Sequence, residues 1–166
     1  DVTRSAQDEF AAASHAKAAA AMEAGKFDAE IAPLEIPQRK GDPIVAKIDE
    51  GVRGGTTAEG IGKMRPAFKK DGTVTAANAS QISDGAAALV IMEEEKAKSL
   101  GLKPLARITG YAVGGVEPTW VMMAPVEAVK KLNGMRGTTV DDYDLIELNE
   151  AFSSQACAVT RELGLD

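Results

Sequence analysis

The chain has 166 residues, with 19 Lys plus Arg against 25 Asp plus Glu for a formal net charge of −6, and it is 45% hydrophobic and 27% charged. These proportions fit one globular domain or parts of two, and they exclude an intrinsically disordered chain, a collagen or a coiled-coil rod. An acidic balance with 4% aromatic residues supplies neither phosphate neutralisation nor stacking platforms, so nucleic acid is not an expected partner.

The first residues, Asp1-Val2-Thr3-Arg4, lack the basic start and apolar core of a signal peptide, and the absence of an initiator Met predicts that the chain starts inside a longer protein. No apolar run approaches the roughly 18 residues that a membrane span requires, and no membrane partner is expected. Residues 5 to 24 read as a helix: Ser5 is placed to cap it, Ala is dense, and Gly25 suits the position just past its end. Residues 32 to 55 carry Pro33, Pro37, Pro43 and several glycines, which predicts a loop-rich excursion with short extended pieces such as 44 to 48.

After Gly72, the run from 85 to 92 is continuously apolar, as in a strand buried on both faces. A charged helix over 93 to 100, ended by Gly101, is expected next. A strand over 105 to 113 follows, then a helix opened by Pro125 and running to Leu132, and a third strand over 143 to 148. The last helix is expected over 151 to 163, with Phe152, Ala156, Val159 and Leu163 forming one buried stripe. This alternation predicts an α/β layered fold.

Cys157, the single cysteine, excludes an intrachain disulfide or a cysteine-based zinc site, and no metal is expected; a reducing compartment, the cytoplasm, fits best. Its mid-helix setting among Ala156, Ala158 and Val159 reads as packing rather than as a nucleophile. His15, the single histidine, lies in an Ala-rich helix without a partner motif and reads as an ordinary helix residue. The stretch 55 to 63 looks superficially like a phosphate loop but has Ile61 where that motif requires Lys. From 53 to 70 the basic residues Arg53, Lys63, Arg65, Lys69 and Lys70 face Glu59 alone, an island able to hold an anion or merely a solvated face.

Asn78-Ala-Ser80 matches a glycosylation sequon without any secretory feature to support modification. More telling is that small residues converge there, which lets a ligand approach the backbone or simply makes a tight turn. Asn149-Glu-Ala-Phe152 follows an apolar segment and opens the last helix. Asn149 is therefore either a helix N-cap or a ligand-contacting group at the end of a strand.

Taken in order, Arg65-Pro-Ala-Phe68, Gly72-Thr-Val-Thr-Ala-Ala-Asn-Ala-Ser80, Asp84-Gly-Ala-Ala-Ala88, Gly114-Gly-Val-Glu-Pro118 and Asn149-Glu-Ala-Phe152 with Gln155-Ala-Cys157 resemble the thiolases of the acetyl-CoA acetyltransferase type. The resemblance covers nearly the whole chain. It implies part of a layered α-β-α-β-α fold with mixed sheets: the end of a substrate-covering loop domain over 1–71, the last strand and helix of the first core half over 72–101, and the start of the second half over 102–166. The implied activity is acyl transfer among coenzyme A esters, by reversible Claisen condensation and thiolysis. Coenzyme A esters enter as substrates with no further cofactor, and a homodimer or homotetramer is implied.

The resemblance assigns Asn149 to holding a water of the oxyanion hole and Ser80 to the pantetheine arm. It sets Arg53 at the adenine nucleotide end, Ala76 along the same groove and Ala151 beside the reacting group. The family's nucleophilic cysteine would lie upstream of this region and its His-Pro-x-Gly and Cys-x-Gly-Gly motifs downstream, and none of the three occurs here. Met122 and Met123 stand where the family often carries glycine, adding bulk near the acyl pocket. A thiolase-like CoA-ester or lipid-binding protein without turnover is the alternative. The three predicted strands are too few for two filled sheets, so large unpaired apolar edges, and with them association or instability, are expected of the isolated chain.

Overall fold

The computed structural model describes residues 1–165. Helix α1, Arg4–Glu23, begins at Thr3, whose hydroxyl accepts the Ala6 N–H at 3.2 Å. Ser5, expected as the cap, lies inside the helix and donates to Glu9 at 2.8 Å. The end is as expected. Gly25 turns into the left-handed region at φ 66°, its N–H bonding Met22 O while the Lys26 N–H bonds Ala21 O. Replacing Thr3 with Ala should lower stability by about 1 kcal/mol, read as a reduced melting temperature of the complete protein.

Strands β1 (Leu34–Ile36) and β2 (Ile44–Ala46) pair antiparallel, with Leu34 opposite Ala46 and Ile36 opposite Ile44, and all six residues are exposed. Short helix α2 (Ala58–Gly62) is capped by Thr57, buries Ile61 and packs on α1. Helices α3 (Glu94–Ser99), α4 (Ala124–Arg136) and α5 (Ser153–Leu163) complete the helical elements, together with 3-10 turns at Pro118–Met123 and Val140–Asp142. On α3 the neighbouring Glu95, and then Glu94, raise the exposed Lys98 ammonium above its usual pKa. No helix is long and apolar enough to cross a membrane among the described residues.

The chain divides into two compact units, Asp1–Gln81 with Leu148–Ala158, and Ile82–Glu147 with the chain from Val159 onward. In the first, α1 and α2 pack beside the loop over 73–80 and the start of α5. In the second, the segment around 109 to 114 lies on α4: Arg136 donates to Thr109 O and Lys131 to Val113 O. A Cβ on Gly114 would come within 2.5 Å of Ala128 N.

Helix α4 runs four residues past the expected Leu132. Gly134 is tolerated within it, and the chain turns off only at Gly137, φ 67°. Helix α5 starts at Ser153 rather than Ala151, and Ala156 and Val159 of its stripe are buried at 1% and 0% exposure.

The three predicted strands over 85–92, 105–113 and 143–148 are not formed as paired strands among the described residues. Leu89, Val90, Leu105 and Leu145 are each more than four-fifths exposed. An apolar run records that both faces want cover, but a strand exists only when a neighbour completes its hydrogen bonds, and among the described residues no such neighbour pairs with these runs. These apolar residues are exposed as unpaired segments, not as the sheet edges expected.

Candidate functional site

The first unit holds an open cleft of about 690 Å³. One face of α1 forms its first wall, because Ala11, Ser14, His15 and Ala18 recur at helical spacing. The loop from Asp49 to Thr57 and the adjoining α2 form the second, the 76–81 loop the third, and Glu150 with Ser153 close the end.

Local chemistry explains each wall. Gly54 sits so close to α1 that a Cβ there would meet the Ala19 methyl at 2.8 Å, so only glycine lets the Arg53 loop lie against the helix. The Arg53 N–H donates to His15 Nδ1 at 3.3 Å, and Arg53 O accepts from the Thr56 N–H, which tightens the same loop. The third wall joins the start of α5 by two backbone hydrogen bonds, Ser80 N–H to Ala151 O at 3.0 Å and Ser153 N–H to Asn78 O at 2.9 Å, which together set Ala79 antiparallel to Phe152. Phe68 meets Phe152 edge to face, ring centres 6.3 Å apart, and holds the 65–70 turn to the same place. The Ser14 hydroxyl donates to Glu150 Oε2 at 2.7 Å, so α1 and the segment carrying Asn149 are tied across the end of the cleft.

Three of the five singled-out site residues, Arg53, Ala76 and Ser80, line this cleft and are exposed there. Ala151 is half-buried beside Ser80 through its carbonyl, and Asn149, two residues earlier, is exposed. Asn149 is not the cap of α5. That helix begins four residues later, where Phe152 O accepts the first helical N–H from Ala156, and the Asn149 amide makes no hydrogen bond among the described residues. The cap reading fails because the chain first crosses to Ala79 before it turns helical.

Of the basic island only Arg53 reaches the cleft lining; Lys63 pairs with Glu59 at 2.8 Å on α2. The sequon, not expected to be modified, is also inaccessible, since Asn78 is 2% exposed and its amide is bonded inside the protein. Cys157 is half-buried in α5 with its Sγ 3.9 Å from Ala6 O, a packing position.

Sequence reasoning missed Ser14, Asp49 and Glu150, and it read His15 as an ordinary helix residue although it holds the Arg53 loop. The α1 spacing of 11, 14, 15 and 18 was the one available signal. Nothing local announces the contact of Ser14 with Glu150. In the second unit, Met122 and Met123 lie in the 3-10 turn at Pro118–Met123, Met122 exposed and Met123 half-buried. Among the described residues no cluster of three His, Cys, Asp or Glu side chains is able to hold a metal ion.

A cleft lined by Arg53, a wall of small residues and a pinned turn ahead of a helix accompanies matches to known proteins. Residues 1–95 match the thiolase N-terminal domain and residues 102–166 the thiolase C-terminal domain, so the chain belongs to the thiolase family. It is 56% identical over 164 residues to the acetyl-CoA acetyltransferase of Allochromatium vinosum, covering 99% of this chain and 42% of that protein. Against the enzyme of that name from Cupriavidus necator it is 55% identical over 165 residues, again 99% and 42%. The crystal structure of the Bacillus anthracis acetyl-CoA acetyltransferase superposes with a TM-score of 0.93 at 48% identity, covering 99% of this chain and 42% of that one. The chain thus spans about two fifths of the length of these relatives.

Proposed function

We propose that the complete protein is an acyltransferase of the acetyl-CoA C-acetyltransferase type, making and cleaving 3-ketoacyl-CoA by reversible Claisen condensation and thiolysis. The observation that carries this reading is the cleft itself, where Arg53 and the Ala76–Ser80 loop, separate in sequence, line one open volume.

In this proposal a thiolate elsewhere in the protein takes the acyl group and releases coenzyme A, and a base removes the α-proton of the second ester to form an enolate. This chain contributes binding and electrostatics. The Arg53 guanidinium, which forms no ion pair among the described residues, faces the phosphates of the nucleotide end. Ala76 and Ala151 leave room for the backbone to approach the pantetheine arm, and Ser80 offers its hydroxyl to that arm. Asn149 holds a water that donates to the developing oxyanion.

Residues 1–71 then belong to the substrate-covering domain, 72–101 to the end of the first core half and 102–166 to the start of the second. Coenzyme A esters are the only small molecules the proposal requires. It further holds that the protein works in the cytoplasm as a homodimer or homotetramer, without nucleic-acid or membrane partners.

Arg53→Ala in the complete protein should raise KM for acetyl-CoA roughly 3- to 10-fold with a smaller change in kcat. The effect should shrink as salt is added, because the lost attraction is partly screened. Unchanged KM at low salt would remove Arg53 from the ligand contact. Assaying the complete protein for acetoacetyl-CoA thiolysis tests the activity. Tight acetyl-CoA binding without turnover would favour a non-catalytic CoA-ester-binding protein instead.

A further inference from the structure

The four walls of the cleft are joined by one buried polar network that the acyl-transfer reading does not use. At its centre Asn78 and Asp8 are 2% and 3% exposed. The Asn78 amide donates from Nδ2 to Asp8 Oδ1 at 2.9 Å and to Thr73 O at 3.1 Å, while its Oδ1 accepts the Thr75 N–H at 2.7 Å. Asp8 Oδ2 accepts from Arg4 Nε at 2.7 Å. Arg4 in turn donates through Nη2 to Ile61 O at 2.8 Å and Met64 O at 3.2 Å, reaching α2 and the turn after it. The Asn78 carbonyl receives the Ser153 N–H at the start of α5. A single chain of bonds therefore runs from α2 through α1 and the 73–80 loop to α5.

Direction is set by the partners. Asp8 is paired with Arg4 through Oδ2 and turns Oδ1 to Asn78, whose amide presents Nδ2 to it and Oδ1 to the Thr75 N–H. That orientation fixes the backbone on which Ala76 stands and from which Ser80 follows. Two side chains this deeply buried favour the arrangement in which their polar atoms are all bonded within the protein.

We propose that Asp8 and Asn78 are positioning residues that hold the Ala76–Ser80 wall and the start of α5 in the geometry that accepts a coenzyme A ester. This inference rests on the acyltransferase reading. Neither residue needs to touch the reacting atoms. Their role is to remove the cost of ordering the loop when the ester binds.

The pair allows an exchange experiment in the complete protein, with acetyl-CoA affinity measured by calorimetric titration and amide hydrogen exchange followed at Thr75 and Ser80. Asp8→Asn places an amide donor toward Arg4 or toward Nδ2 of Asn78. Asn78→Asp sets two carboxylates face to face. Each alone should weaken acetyl-CoA binding about tenfold and speed exchange at both amides, the size expected when one charge-assisted buried hydrogen bond is lost. The double exchange of Asp8→Asn with Asn78→Asp restores a donor facing a carboxylate and keeps acceptors for the Thr75 N–H and for Arg4, while the bond to Thr73 O stays lost. It should bind acetyl-CoA more tightly than either single variant and slow the exchange again.

A merely structural role would lower the melting temperature of the single variants while leaving affinity of the folded fraction at the wild-type value, and that result overturns the proposal. So does a double variant that folds but binds no better than the singles. Should the singles fail to fold, the folded double variant decides alone: affinity within about threefold of wild type supports the pairing, and a larger loss overturns it. A wild-type protein that binds no acetyl-CoA refutes the acyltransferase reading itself, and is distinguished from the other outcomes because it needs no variant.

Discussion

Asn149→Asp in the complete protein should fold with an almost unchanged melting temperature, still bind acetyl-CoA, and turn over roughly 100-fold more slowly. The stability half of this expectation comes from the structure. Asn149 is exposed, stands four residues ahead of α5 and makes no hydrogen bond among the described residues, so the fold loses nothing when it changes. Its neighbours are held without it, Glu150 by Ser14 and Ala151 by Ser80.

The catalytic half comes from charge. An amide can orient a water as donor toward an enolate oxygen, whereas a carboxylate only accepts and adds a negative charge beside one that is developing. Because the effect passes through a water, the loss should lie at the lower end of what removing an oxyanion donor costs. Single-turnover rates and a melting curve on the same preparation check both halves. Near-normal kcat sinks the catalytic assignment, and there is no longer a helix-cap role to fall back on.

The second large effect is on stability. Gly114→Ala should destabilise the complete protein by about 1–3 kcal/mol, because overpacking at a tight contact is relieved only by moving atoms apart. Here the atoms are backbone: an added Cβ would lie 2.5 Å from Ala128 N and 2.6 Å from Ala124 O on α4. No side-chain rotation relieves that, so the segment must lift from the helix. The Lys131 to Val113 and Arg136 to Thr109 bonds would be disturbed with it. Gly115→Ala is the control, since nothing lies within 4 Å of a Cβ there. Equal midpoints for the two variants in urea unfolding would show that the close approach carries no strain.

Helices were the legible part of this protein. Caps, breakers and 3.6-residue spacing are local, so α1 with Gly25, α3 with Gly101 and the buried stripe of α5 were all readable within a residue or two. Errors gathered at ends, where several residues compete to cap: Thr3 displaced Ser5, and Gly137 rather than Leu132 closed α4. The family was legible too, because its motifs are short runs that survive as text.

What the tertiary structure alone decided are the relations between distant residues. Apolar runs over 85–92, 105–113 and 143–148 state a demand for neighbours, but pairing is a property of two segments, and none of the three has its partner among the described residues. Ser14 meets Glu150 across 136 positions, and Asp8 meets Asn78 across 70. Asn149 changes from a plausible cap to an unengaged amide only because Phe152 first bridges to Ala79. Propensity acts over a few residues and therefore reads from sequence, whereas a buried carboxylate selects its amide partner only after packing has excluded water from both.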